Sequence, residues 1–372
     1  MTTEALARFD AVLRFSSARG VSDIHVKAGQ RPVYRRHGGL ISRKDETPFT
    51  EEELDAIAAT LLPPSQAEAY ARGGEATFAH GLVGGGRFRM TLLRQRGSAG
   101  FAIRVLPARV ATLRELNLPK HLGAWPMLQS GLLLVAGIAG SGRTATWAAL
   151  LEHVNTTAPG PRHIVTLASP LEIPLDDKVA FVCQREVGAD TPDLHTGLQA
   201  TLRQDADIVA VDELKPDALA DALDVADQGR LVIAVVPGAG PVEAVRMLLE
   251  RADPLRRDLL RQRLAARLRA ITAQVLVTTA DGKGRVPAVQ ALVASPQVTE
   301  ILRSGADLDN WRLLMEQGRA FGMQTQDQAL QELVQAGLVS IETATQHAQH
   351  PEQVRARLAS HPGTVQTPPD LF

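Results

Sequence analysis

The stretch Leu132-Leu-Leu-Val-Ala136-Gly137-Ile-Ala-Gly140-Ser141-Gly142-Arg143-Thr144 decides the reading of this chain. An unbroken apolar run ends on a glycine, two more glycines follow, and a segment with helical spacing opens on arginine and threonine. Such a run, without alternation, is a strand buried on both faces. The glycines let backbone N–H groups turn inward around an anion at a helix N-terminus. The spacing is that of a phosphate loop, G-x-x-x-x-G-[K]-[ST], with Arg143 where lysine belongs. On this reading Gly137, Gly140, Ser141, Gly142, Arg143 and Thr144 hold a nucleotide, with the Thr144 hydroxyl placed for Mg²⁺. The alternative is a glycine turn with no ligand. Arginine is longer, planar and bidentate, so the exchange predicts weaker or misplaced nucleotide.

Working outward, Ile164–Leu167, Ile208–Val211 and Leu231–Val236 are further short apolar runs, with helix-patterned segments at 143–155, 193–203, 216–227 and 242–252. That alternation predicts a doubly wound α/β domain. The run Asp205-Ala-Asp207-Ile-Val-Ala-Val-Asp212-Glu213 ends a buried strand on carboxylates. In a parallel sheet such a strand delivers them beside the phosphate loop, where they hold Mg²⁺ or orient water. Ahead of this core, residues 1–110 read as a small α/β domain and 111–127 as a proline-bearing linker. The core spans 128–295, a helical segment 296–358, and a loose proline-rich tail 359–372. Leu260, Leu264, Leu268 and Ile271 repeat at helical spacing among many arginines, which form either a solvated basic face or a partner contact.

Bulk properties bound the class. Hydrophobic residues make up 45% and charged residues 22% of 372, the mix of a globular protein with two domains. A net charge of −1 argues against a sequence-independent nucleic-acid binder. Cys183 is the lone cysteine, so neither an internal disulfide nor a thiolate zinc site is expected; it reads as a buried small hydrophobe. His25, Trp125, Trp147 and Trp311 read as structural residues.

With both motifs in hand, the sequence resembles the PilT/PilU branch of the secretion and pilus ATPases. Ser22-Asp-Ile-His25-Val is similar to the family's opening SDLHL, and Gly29 to Leu40 to the segment after it. Arg87-Phe-Arg89, Gln95-Arg96-Gly-Ser-Ala-Gly100 and Phe101-Ala-Ile-Arg104 resemble the strand–loop–strand that supplies trans-acting arginines. Gln184-Arg185-Glu186-Val187-Gly188 and Leu202-Arg203-Gln-Asp205 resemble family signatures. Gly284-Arg-Val-Pro287-Ala-Val and Gly322-Met-Gln-Thr325-Gln-Asp327-Gln are similar to the retraction-motor branch. The likeness runs from about residue 5 to 358. It implies a PAS-like α/β N-terminal domain, a RecA-like P-loop core with a helical C-terminal segment, and ATP with Mg²⁺ as ligands. It also implies a hexameric ring, homomeric or shared with pilus motor ATPases, acting from the cytoplasm on an inner-membrane pilus platform and not on nucleic acid.

The sequence also departs from that family. Its acidic box, IEDPIE, here reads Leu167-Ala168-Ser169-Pro170-Leu171-Glu172, so Ala168 stands at the catalytic glutamate. Its His box, GHLVFGTLHT, has lost both histidines, to Arg230 and Pro237. Glu213 keeps its place, and Arg89, Arg96 and Arg104 remain as trans-acting or plain surface arginines. Phosphoryl transfer is mainly positioning and electrostatic stabilisation, so these losses predict at most roughly a few per cent of normal turnover. The expected protein is a pseudo-ATPase that modifies pilus retraction and twitching. The alternatives are a retraction ATPase with a rebuilt site, or a DNA-translocating motor.

Overall fold

The computed structural model describes residues 2–36, 39–83, 86–107 and 109–360, and from residue 361 the expected loose tail lies outside them. The chain forms two compact units, one of residues 1–110 with 168–174 and 184–193, the other of 111–167, 175–183 and 194–372.

In the first unit α1 (Thr2–Ala18) precedes β1 (Val21–Lys27), β2 (Val33–Arg36) and β3 (Gly39–Ser42). Helices α2 (Glu51–Leu61) and α3 (Pro64–Gly73) lead to β4 (Glu75–Leu82), β5 (Gly86–Gln95) and β6 (Ser98–Leu106). The strands form one antiparallel sheet in the order β3-β2-β1-β6-β5-β4. Alternation divides its faces. Phe88, Met90 and Leu92 of β5 join Phe9 and Leu13 of α1 and Leu54 and Ile57 of α2 in one core, while Arg89 and Thr91 point away from it. A reciprocal capping box between Thr50 and Glu53 starts α2. The β5–β6 turn is the two-residue loop Arg96-Gly97, with φ of +52° and +90°. Both angles lie in the region that a type I′ hairpin turn demands.

The second unit is built on a mostly parallel sheet. Its elements are β7 (Gly131–Gly137), α4 (Arg143–Thr157), β8 (His163–Ala168), β9 (Phe181–Glu186), α5 (Leu194–Thr201) and β10 (Ile208–Val211). Next come α6 (Leu219–Asp227), β11 (Leu231–Pro237), α7 (Pro241–Glu250), α8 (Arg257–Arg267), β12 (Leu268–Thr278) and β13 (Arg285–Val293). The sheet order is β13-β12-β7-β11-β10-β8-β9, and β8, β10, β11, β7 and β12 run parallel. Every residue of β7 and β10 is buried, which explains their continuous apolar composition. Helices α9 (Pro296–Ser304), α10 (Asn310–Gln317), α11 (Gln326–Gln335), α12 (Ile341–His347) and α13 (Pro351–Ser360) complete the unit. Among the described residues, no helix is long and apolar enough to cross a membrane.

Two sequence expectations are corrected here. The helical repeat through Ile271 stops at Arg267, because Leu268 already has extended backbone and enters β12. Leu268 and Ile271 are buried in that strand, so helical spacing alone could not separate the two states. Cys183 is only part-buried, being on the edge strand β9. The arginine-rich stretch is largely paired. Arg263 and Arg267 bind Asp227, Arg263 also binds Asp224, and Arg257 donates to the Leu249 and Glu250 carbonyls at the end of α7. A guanidinium there satisfies carbonyls that have no partner within the helix.

Trp311 is fully buried and donates its indole N–H to the Val298 carbonyl at 3.1 Å. Trp311→Ala is expected to destabilise the second unit by about 3–5 kcal/mol, seen as a lower urea midpoint. Arg96→Asn should act oppositely. It relieves a long side chain at positive φ and is expected to raise stability by about 0.5–1 kcal/mol, measured as a small increase in Tm.

Candidate functional site

The site begins where β7 leaves the sheet. The seven-residue strand ends at Gly137, and a Cβ there would press on the Ser141 hydroxyl and lie 2.9 Å from Arg143 Cγ. The chain then turns through Gly140 and Gly142, with φ of +78° and +88°, and α4 starts at Arg143 without a side-chain cap. Its first-turn amides therefore point out of the helix with no side-chain acceptor. The Ser141 hydroxyl is buried inside this loop with no hydrogen-bond partner. Cradle, uncapped amides and an orphaned hydroxyl fit the phosphates of a nucleotide. Thr144, half-buried in the first turn of α4, and Glu213 are the residues available to Mg²⁺.

The loop is held from the next strand by a residue to which the sequence reading gave no role. Gln274 of β12 is buried, donates Nε2–H to the Ser141 carbonyl at 2.7 Å, and accepts from the Thr146 hydroxyl at 2.7 Å. A Cβ on Gly142 would come within 2.8 Å of the same amide. One amide thus fixes both the loop and the first turn of α4. Trp147 ties the helix to β11 by an indole hydrogen bond to the Ile233 carbonyl at 3.1 Å. The available signal was a long amide side chain at position 274 within a largely apolar strand.

Arg143 does not reach out over the loop. Its Nη1 donates to the Val236 carbonyl, near the carboxyl end of β11, at 3.1 Å. Burial pushes the guanidinium below the usual arginine range, and the Glu213 carboxylate acts in the opposite sense. Glu213 is exposed just after β10, where Asp212 N–H bonds Leu167 of β8 and Leu214 N–H bonds Val235 of β11. Those two backbone bonds place the Asp212–Glu213 turn at the carboxyl edge of the sheet.

Of the two replaced histidine positions, only Pro237 lies at that edge. Arg230 precedes β11 at its amino end, where its carbonyl accepts from Gly131 and its side chain pairs with Asp205 at 3.2 Å. A strand of this length spans about 20 Å, so Arg230 lies at the opposite end of β11 from the phosphate loop.

Ala168 closes β8, is 3% exposed, and accepts from the Val187 N–H at 2.8 Å. The three arginines do not form one cluster. Arg89 and Arg104 are cross-strand partners on β5 and β6, and each has its own carboxylate: Glu172 at 2.8 Å for Arg89, Asp23 at 3.2 Å for Arg104. With His25 and Thr91 they line an open cavity of about 310 Å³. Arg96 sits apart at the hairpin tip.

The Type II/IV secretion system protein family matches residues 90–361. The chain is 30% identical to the type IV pilus ATPase PilU of Pseudomonas aeruginosa, over 93% of this chain and 90% of that protein. It is also 30% identical to the type IV pilus retraction ATPase PilT of the same organism, over 92% of this chain and 98% of that one. The crystal structure of the pilus retraction motor PilT with bound ADP aligns with a TM-score of 0.82 at 28% identity, covering 93% of this chain and 98% of that chain. Likeness of this extent takes in both units and the segments that frame the loop, and the chain belongs to the type II/IV secretion system protein family, with the PilT and PilU twitching-motility ATPases as its relatives.

Proposed function

We propose that this chain is a PilT/PilU-like pseudo-ATPase that binds nucleotide, hydrolyses ATP poorly or not at all, and modulates type IV pilus retraction. It does so by joining or docking on an active motor ring, a hexamer by family resemblance, at the inner-membrane pilus platform. The observation that carries the reading is Ala168. A methyl group, buried at the end of β8, stands at the family's catalytic glutamate and can neither take a proton nor orient water. Arg143 supports it, since one arm of the guanidinium is committed to the Val236 carbonyl where the family's lysine would be free to serve phosphate. Nucleotide is expected at the loop through its amides, with Thr144 and Glu213 holding any Mg²⁺. Arg89, Arg96 and Arg104 are the candidates to serve a neighbouring subunit's nucleotide. Releasing Arg89 from Glu172 would cost little, because ion pairs this exposed contribute ~0–1 kcal/mol.

A second reading, a working retraction ATPase, is favoured by the exposed Glu213 at the sheet's carboxyl edge, which could position water. Phosphate release separates the two. The purified chain with Mg-ATP is expected to turn over at no more than roughly a few per cent of a catalytically intact family motor. Robust release that Glu213→Gln abolishes would establish the second reading instead. Co-migration with an active motor on size exclusion, and altered twitching when the chain is deleted, test the docking role.

A further inference from the structure

We propose that the phosphate loop of this chain selects a nucleoside diphosphate over the corresponding triphosphate. The inference rests on the nucleotide-binding reading above and specifies the ligand of the same site. Groups around a phosphate loop divide by the phosphate they serve. Backbone amides wrap the α- and β-phosphates, whereas the loop lysine spans the β- and γ-phosphates.

The first set is complete in this chain. Gly140 and Gly142 take the positive-φ geometry that turns amides inward, and α4 has no side-chain cap competing for its first-turn N–H groups. The buried Ser141 hydroxyl is without a partner and faces Gly137 inside the loop. Gln274 holds this arrangement from β12 through hydrogen bonds to the Ser141 carbonyl and the Thr146 hydroxyl.

The second set is committed elsewhere in part and otherwise gone. Arg143 Nη1 is spent on the Val236 carbonyl, and its Cγ and Cδ lie along the base of the loop beside Gly137. Proline at 237 offers neither an N–H nor a titratable ring at the end of β11. The side chains that remain after β10, Asp212 and Glu213, are carboxylates. A third phosphate would add negative charge beside them, and apart from any bound Mg²⁺ the cation placed to answer it, Arg143, is already engaged by the Val236 carbonyl. The β-phosphate keeps its amide cradle whether or not a γ-phosphate follows. Discrimination therefore arises from what the γ-phosphate lacks.

The test is calorimetric titration of the full-length chain with ADP and with the β,γ-imido analogue of ATP, each in Mg²⁺ and in EDTA. ADP is expected to bind at least about tenfold more tightly than the analogue in both buffers. Arg143→Lys, which returns a compact ammonium able to reach a γ-phosphate, should reduce that ratio about fivefold or more. An analogue that binds as tightly as ADP overturns the selectivity but leaves the pseudo-ATPase reading standing. A ratio unmoved by Arg143→Lys removes the assigned cause and overturns the inference. Absence of binding by either nucleotide overturns this inference and the nucleotide-binding part of the reading beneath it. Rapid turnover of ATP itself would instead sink the pseudo-ATPase reading, with the binding ratio still deciding selectivity.

Discussion

β7 is buried along its whole length, and the chain passes from it through one short glycine loop directly into α4. Everything at the site follows from how that turn is held. Two glycines supply the dihedral angles, and Gln274, reaching from β12, ties the Ser141 carbonyl to the Thr146 hydroxyl. A buried amide with both ends satisfied is rigid, because losing either partner strands a polar group in the core. The Trp147 indole then fixes α4 against β11. The cradle for an anion is thus a property of the sheet and does not depend on the charge at position 143.

That separation would let the proposed loss of hydrolysis leave the fold intact. Ala168 fills its buried position at the end of β8 with a methyl group and has its carbonyl paired. A carboxylate there would have to be desolvated, at a cost of several kcal/mol unless it were paired. Arg143 likewise finds a local acceptor in Val236. Active sites commonly hold groups in destabilising surroundings because function needs them there. Replacing those groups with ones suited to their surroundings relaxes the site.

What the sequence made legible was whatever burial or backbone geometry dictates locally. The unalternating apolar runs became β7, β8, β10 and β11, and the glycine spacing became a strand–loop–helix turn, because each is a short-range consequence of composition. The α8–β12 junction was not legible, since Leu264, Leu268 and Ile271 are buried whether the segment is helix or strand. Nor could spacing show that Gln274 holds the loop, because its partners are more than a hundred residues away in sequence. Arg230 and Pro237, read together as two losses from one box, separate once β11 places them at opposite ends of the strand. Position along a strand is a three-dimensional fact even when the strand itself is obvious.

The arginines of the first unit show why residue identity stops short of role. Arg89 and Arg104 stand directly opposite each other on β5 and β6, an arrangement that like charges make unfavourable. Glu172 and Asp23 offset it, one carboxylate to each guanidinium. Since both arginines are more than two-fifths exposed, neither pair holds the sheet together, which rests on its strand ladders and the hydrophobic core on its other face. A triphosphate or carboxylate presented by another subunit would compete with Glu172 and Asp23 at small cost. The pairing within the isolated chain and service to a neighbour in the proposed ring are therefore compatible, with local carboxylates screening the repulsion until a stronger anion displaces them.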